Sequence, residues 1–381
     1  MQKRKTIVRD ISWLSFNNRV LQEAADETVP LRERIRFLGI FSNNLDEFFR
    51  VRVATLRKMT ELGNKAKMHL ESQPQAILEQ IQEIVYQQQV EFERIWKEIQ
   101  KELGKQNILL LNEKKLSSAQ QKFVLDYFNE EVRSFIIPLM IESIQNFPVL
   151  NDKSIYLACK LSKKDKTIPQ RFALVSVPTR SLPRFLILPS KPEEHNIILL
   201  EDIIRFCLPV IFSSLGYDQF SAHIIKLTRD AEIDIDNDIS TPLIQKIEKG
   251  LKNRKKGKPV RFVFDKEIDI SLLTYLVKRL GLSLKENLVP GGRIHNFKDF
   301  MNFPDSVFSQ KGLRKKPFTH PLLKNAGSVT AVVFNKDVLL NFPYHSFDSV
   351  IDLLREAAID PNVVSIKITC YRLASRSKIV N

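Results

Sequence analysis

The stretch Asp337–Arg372, DVLLNFPYHSFDSVIDLLREAAIDPNVVSIKITCYR, constrains the fold more than any other, because its hydrophobic period changes twice. Val338-Leu339-Leu340 is a short apolar run that Phe342-Pro343-Tyr344-His345 stops. Ser346 offers one hydroxyl as a cap for the helix that follows, and Ser349 cannot complete a capping box. Val350, Ile351, Leu353, Leu354, Ala357 and Ala358 recur at helical spacing, which predicts one face packed on a flat partner. Pro361 biases Asp360 out of the helical region and ends the helix. Val363–Thr369 then alternates β-branched residues, a predicted strand that delivers Tyr371 and Arg372 at its carboxyl end. Strand, helix and strand make a βαβ unit, whose ligands bind beyond the carboxyl ends of the strands. Arg372 is therefore expected where an oxyanion would sit. One such unit cannot cover both faces of its sheet, so residues 319–381 are expected to begin a larger α/β domain and to stop short of completing it.

The chain of 381 residues is long enough for two or three cores, and 43% hydrophobic with 27% charged residues is the balance of a soluble globular protein. The N-terminus, MQKRKTIVRDISW, has basic residues with no apolar run behind them, so no signal peptide is expected. Phe135–Ile141 is the most apolar short run, and Pro138 breaks it well below bilayer length. A cytoplasmic protein is expected, with at most peripheral attachment to a membrane. Cys159, Cys207 and Cys370 are odd in number and widely spaced, which argues against a disulfide framework or a paired-cysteine metal site. The net charge of +15 selects polyanions as partners, nucleic acid, anionic membrane and polyphosphate among them, without choosing between them.

Residues 1–105 read as an all-α domain. Trp13, Leu14, Phe16, Val20 and Leu21 mark an amphipathic first helix, and Pro30 separates it from Leu31–Leu38. Leu45, Phe48, Phe49 and Leu56 predict a third helix, and Gln75 to Leu103 a long one that Gly104 would close. Residues 106–318 mix helices and strands without strict alternation, an α+β domain. Ser118 and Gln121 predict a capping box for a helix to Phe135, followed by strands at Ile155–Leu161, Phe172–Val177, Phe185–Leu188, Ile197–Leu200 and Val260–Phe264. Helices are expected at Glu201–Phe212, Leu243–Leu251 and Leu272–Leu280, the last ended by Gly281.

Three clusters carry candidate chemistry. Ser42-Asn43-Asn44 precedes Asp46-Glu47, which reads as a helix start with Asn43 as cap and leaves Asn44 unused. An amide there suits an adenine edge or a phosphate. Gly291-Gly292-Arg293 with His295-Asn296-Phe297-Lys298 fits equally an anion-binding loop or a tight turn. GLKNRKKGK at 250–258 lacks the spacing and the Ser/Thr of a P-loop and reads as a solvated basic loop.

The motifs Ser12-Trp13-Leu14-Ser15-Phe16-Asn17, Phe37-Leu38-Gly39-Ile40, Ser42 through Phe49, Thr228 through Glu232, and Val289 through Phe300, with the stretch at 337–372, occur in an order that resembles the polyphosphate kinase family from end to end. The resemblance implies a multidomain protein: an all-α N-terminal domain, an α+β middle domain contributing to dimer contacts, and the start of an α/β phospholipase D-like catalytic domain. It implies an ATP:polyphosphate phosphotransferase that reversibly moves the γ-phosphate of ATP to inorganic polyphosphate through a phosphohistidine, giving ADP, with Mg²⁺. Asn44 matches the family's nucleotide-binding asparagine, and Arg372 its magnesium-site arginine. Arginine has no lone pair for a cation, so Arg372 is expected to hold the phosphate oxygens or waters around Mg²⁺. The family's phosphorylated histidine matches none of the six histidines here, so these residues alone are expected to be inactive. A homodimer or homotetramer is implied, and nucleic acid is not an expected partner. Two rival readings remain: a non-catalytic module binding polyphosphate or nucleic acid through charge, and a phosphodiesterase related to phospholipase D. The absence of any His-x-Lys sequence counts against the second.

Overall fold

A computed structural model of the chain describes residues 7–61, 73–152, 154–230, 259–282, 288–308, 316–369 and 377–379. The contacts divide it into two units, Met1–Gln310 and Lys311–Asn381.

The first unit opens with four helices: α1 (Arg9–Ala25), α2 (Leu31–Phe48), α3 (Ala54–Glu61) and α4 (Pro74–Lys105). Their apolar faces share one core in which Leu14, Leu38, Phe41, Ile95 and Ile99 are fully buried. The expected break between Leu38 and Leu45 does not occur. No proline interrupts that segment, so α2 runs through Ser42-Asn43-Asn44 and continues in a π-helical turn, Phe49–Val53. Asn43 therefore caps nothing. Gly39, an interior glycine that should weaken a helix, is there for space. A Cβ on it would come within 2.7 Å of Met301 Cγ and 3.0 Å of the Phe297 carbonyl. Gly104 likewise does not end α4; the helix closes at Gln106, and Asn107 takes the left-handed conformation at φ 58°.

Arg34 ties the bundle together. Its buried guanidinium donates to the Ala24 carbonyl at 2.8 Å and to both oxygens of Glu102 at 2.8 Å, joining the end of α1 to the end of α4.

After the bundle come α5 (Ser118–Tyr127), α6 (Leu200–Phe206), α7 (Leu208–Ile211) and α8 (Ile270–Leu280), with strands β1 (Ile108–Leu111), β2 (Leu139–Met140), β3 (Ile155–Ser162), β4 (Arg171–Ser176), β5 (Phe185–Leu188), β6 (His195–Leu199), β7 (Gln219–Arg229), β8 (Pro259–Asp265) and β9 (Leu288–Gly291). The capping box of α5 lies one residue earlier than expected, on Ser117 and Gln120. The longer helical run ends through a π turn and a 3₁₀ turn at Phe135. Leu243–Leu251 and the basic loop 250–258 lie outside the described residues. Cys159 and Cys207 are buried free thiols, and burial pushes both up to about 12, so each behaves as a small hydrophobe.

The sheets are a three-stranded one in the order β1-β6-β5 and a six-stranded one in the order β2-β4-β3-β7-β8-β9. The larger is antiparallel except where β8 and β9 run parallel. Ile225, Leu227, Phe262 and Phe264 point into a core with α8, while Lys226 and Arg261 take the other face. The 3₁₀ turn Phe297–Asn302 places Phe297 and Phe300 each 5.2 Å from Trp96, edge to face, so the turn is packed on α2 and α4.

In the second unit the predicted helix forms as α10 (Asp348–Ile359) and ends at Asp360, as Pro361 requires. Ser346 sits one residue too early to be its N-cap, yet its hydroxyl still accepts the Asp348 N–H at 3.2 Å. A shorter helix, α9 (Val329–Asn335), precedes it. Its N-terminal amides of Val329 and Thr330 donate to Glu356 at 2.8 and 2.7 Å, and the Thr330 side chain together with these amides lowers that carboxyl to about 2. The runs 338–340 and 363–369 carry no ladder among the described residues, and Val364 is 98% exposed. Alternation makes a run fit for a strand, but a strand forms only when a neighbour satisfies its backbone.

Filling the space at Gly39 tests the packing of α2 on the 297–302 turn. Gly39→Val is expected to destabilise the first unit by about 1–3 kcal/mol, because the carbonyl it meets cannot swing aside. A lowered midpoint of urea unfolding followed by tryptophan fluorescence is the readout, and an unchanged midpoint would refute the close approach.

Candidate functional site

Asn44 lies on α2, half-buried against α1. Asn17, in the Ser12–Asn17 motif, is fully buried and donates its Nδ2 to the Phe41 carbonyl at 3.4 Å. A carbonyl can only accept, so this contact fixes which end of Asn17 points which way. The Asn17 Oδ1 is thereby turned to Asn44, whose Nδ2 donates to it at 3.1 Å. Asn44 keeps one amide hydrogen and its own carbonyl oxygen for a ligand. That is a donor beside an acceptor, the pair an adenine edge requires. The same motif supplies Trp13, stacked on Phe48 with centroids 4.6 Å apart, which locks α1 to α2 around this pair.

On the other side of α2, Asp46 faces the sheet. Its carboxylate accepts from Lys226 on β7 and, at 3.3 Å, from Arg261 on β8. All three side chains are buried. Desolvation depresses the Lys226 ammonium and the Arg261 guanidinium, with Asp46 acting in the opposite sense. Arg261 also lies 4.7 Å over the ring of Phe49. Residue-by-residue reading of the sequence missed this cluster. The signal was present: a lysine between Ile225 and Leu227 and an arginine between Val260 and Phe262.

The 291–299 segment is a rigid turn. Gly291 ends β9, and a Cβ on it would lie 2.7 Å from the ring of His295. Arg293 is bound to Glu113 and, at 2.6 Å, to Asp202, so its cation is already neutralised inside the protein. Arg184 organises the rest: it meets Glu201 at 2.5 Å, the His295 carbonyl at 2.7 Å and the Asn296 carbonyl at 2.8 Å. Asn296 takes a left-handed conformation at φ 58° just before the 3₁₀ turn. His295 is buried, and that burial lowers it to about 3; Asp265 opposes the shift while Lys226, Arg184 and Arg261 add to it.

In the second unit, His345 Nδ1 accepts the Asn341 N–H at 2.8 Å, and the Phe318 amide donates to the Tyr344 carbonyl at 2.9 Å. These bonds close a turn and give His345 a structural task. Arg372, Tyr371 and Cys370 lie outside the described residues, so the geometry brings Asn44 together with Asn17 and is silent on Arg372. Among the described residues no group of three or more His, Cys, Asp and Glu could hold a metal ion, and no helix is long and apolar enough to cross a membrane.

Comparison with known proteins accords with the motifs. The polyphosphate kinase N-terminal domain model matches residues 6–111, the middle domain model 119–303 and the C-terminal domain 1 model 328–381. The chain belongs to the polyphosphate kinase family. It is 40% identical over 388 residues to the polyphosphate kinase of Vibrio vulnificus (strain YJ016), covering 98% of this chain and 54% of that protein. It is 39% identical over 391 residues to that of Escherichia coli (strain K12), covering 100% and 56%. Among solved structures, the polyphosphate kinase of Porphyromonas gingivalis matches with a TM-score of 0.77 at 31% identity, covering 98% of this chain and 53% of that one. The chain thus spans about half the length of the relatives it matches.

Burial of His295 as a neutral ring gives a pH dependence with a definite sign. Its folded value of about 3 lies below the unfolded value near 6.5, so below pH ~6.5 the unfolded chain takes up a proton that the folded one refuses. This contribution is fully present above pH ~6.5 and is lost, by up to about 1.4 kcal/mol per pH unit, as the pH falls toward 3. His295→Gln should flatten the urea midpoint between pH 6.5 and 5 relative to wild type. Parallel pH profiles for the two proteins would refute the buried neutral ring.

Proposed function

We propose that this chain forms the front portion of an ATP:polyphosphate phosphotransferase, in which Asn44 reads the nucleotide. The observation that carries the reading is the amide of Asn44, held by Asn17 so that one donor and one acceptor stay available side by side. Asn44 would accept from the exocyclic amine of adenine and donate to a ring nitrogen, which favours the adenine edge over the phosphates as the contacted group. Guanine and hypoxanthine present a carbonyl at that position, so the same amide would reject them.

The reaction assigned to the complete protein is reversible transfer of the ATP γ-phosphoryl to inorganic polyphosphate through a phosphohistidine. Such a transfer depends on positioning and on neutralising phosphate charge. Of the described histidines, His295 is buried and His345 closes a turn, so neither suits the acceptor role. Mg²⁺ would supply charge neutralisation on the phosphates. The described residues do not gather a donor set for it, and Arg372 would act on the phosphate oxygens, with homodimer or homotetramer assembly through the middle domain.

Nucleotide selectivity tests this reading. The purified chain should bind ATP more tightly than ITP by calorimetry, and Asn44→Ala should weaken ATP by roughly tenfold or more, as loss of a bidentate amide contact does. Binding to polyphosphate, governed by charge, should be unaffected by this substitution. Equal affinity for ATP and ITP, or an Asn44→Ala protein that binds ATP like wild type, would remove Asn44 from the nucleotide site. If instead every polyanion bound alike, with affinity falling steeply with salt, the chain would be a polyanion-binding module.

A further inference from the structure

Between α2, β7, β8 and the 294–297 turn lies a recess of about 50 Å³. Lys226, Arg261, Asp46, His295 and Asn296 belong to its polar lining, with Ser42 and Gln89, and Phe41, Phe92 and Phe297 are among its apolar walls. The two cations are almost wholly enclosed, at 3% exposure for Lys226 and 5% for Arg261, and they share the single carboxylate of Asp46. Asp265, the other buried carboxylate near His295, is engaged by His223 at 3.1 Å and by the Glu267 N–H at 3.0 Å. Arg184, also near His295, is matched by Glu201 and Asp299. Lys298 adds further positive potential at Lys226. Around Lys226 and Arg261 themselves, two cations thus face one carboxylate.

Hydrogen-bonding capacity is left over as well. Arg261 Nε, His295 Nε2 and Asn296 Oδ1 are buried without a partner. Water could fill this volume with roughly three to five molecules and satisfy those atoms. Water cannot offset the surplus cation, and burying an uncompensated charge costs far more than burying an unpaired dipole. A ligand that brings both negative charge and several oxygens satisfies the two requirements together.

We propose that this recess is a binding site for one small inorganic oxyanion of the phosphate class, held by Lys226, Arg261 and His295. A protonated oxygen of the anion would serve Asn296 Oδ1. The recess and Asn44 belong to opposite sides of α2, because residues two apart on a helix point in nearly opposite directions. The inference therefore stands independently of the nucleotide reading. The recess has room for one tetrahedral group, which free orthophosphate supplies with no chain to be placed outside it.

The test is a titration of the purified chain with orthophosphate at constant ionic strength, chloride making up the difference, followed by calorimetry and by the melting temperature. Saturable binding to one site with a rising melting temperature is expected, and sulfate should compete where chloride does not. Arg261→Met should weaken the binding by at least about tenfold, and Arg261→Lys should restore part of it. Wild-type chain that shows no saturable response, or that responds to tripolyphosphate alone, overturns the proposal. So does an Arg261→Met protein that binds like wild type. Should that variant fail to fold, crystals of the wild-type chain soaked in selenate decide the matter. An anomalous peak beside Lys226 Nζ and Arg261 supports the site, and a recess holding only water refutes it.

Discussion

Asp46 is bonded to both Lys226 and Arg261, two cations that the sheet presents to the helical layer. Charges this deeply placed are tolerable only when opposed, and their mutual attraction does not by itself exceed the cost of desolvating them. Their value lies in specification. A helix packed by apolar contacts alone could slide along the sheet by a residue or a turn with modest loss. A carboxylate that must meet two fixed cations permits one rotation and one axial position of α2. Everything else on that helix is then placed: Gly39 against the 297–302 turn, Phe48 against Trp13, and Asn44 against Asn17.

The same economy governs the 291–299 turn. Arg184 donates to two successive carbonyls, His295 and Asn296, and is itself held by Glu201 and Asp299. A single guanidinium thus satisfies backbone groups that a loop in this position could not expose to water. Phe297 and Phe300 then extend the turn into the aromatic contacts with Trp96. The glycine at 291 belongs to this arrangement, since any side chain there would strike the His295 ring. In this segment, whose composition fits an anion-binding loop or a tight turn, the cation of Arg293 is spent on Glu113 and Asp202.

How much of this was legible in the sequence depended on how local each determinant is. Helices α1, α4, α8 and α10 follow from apolar spacing, Pro30, Pro361 and Gly281, all of which act within a turn or two. The continuity of α2 was not legible, because Ser42-Asn43-Asn44 has the composition of a cap, and only packing on α1 and the sheet decides that it stays helical. Strand β7 was missed although it is central, since its middle, Ile224-Ile225-Lys226-Leu227, puts a charge at an inward position that normally reads as surface. The pairing of Asn17 with Asn44 spans two helices and leaves no trace in either segment alone. For the same reason Asn44 could be singled out by motif, whereas the group that orients it could not.

Orientation is what turns that asparagine from a polar surface residue into a discriminating one. A free amide rotates, offers either end and selects nothing between an amine and a carbonyl on a ligand. Asn17 removes that freedom through a chain of bonds that begins at a backbone carbonyl, which has no alternative role as donor. Flipping Asn44 would set its Oδ1 against the Oδ1 of a fully buried Asn17, two acceptors face to face, at a cost comparable to an unsatisfied buried polar group. The backbone of α2 thus determines which atom of Asn44 remains available, and α2 is itself held in register by Asp46 with Lys226 and Arg261. The buried ion cluster and the presented amide occupy different faces of one helix, and the first is the mechanical reason that the second has a definite direction.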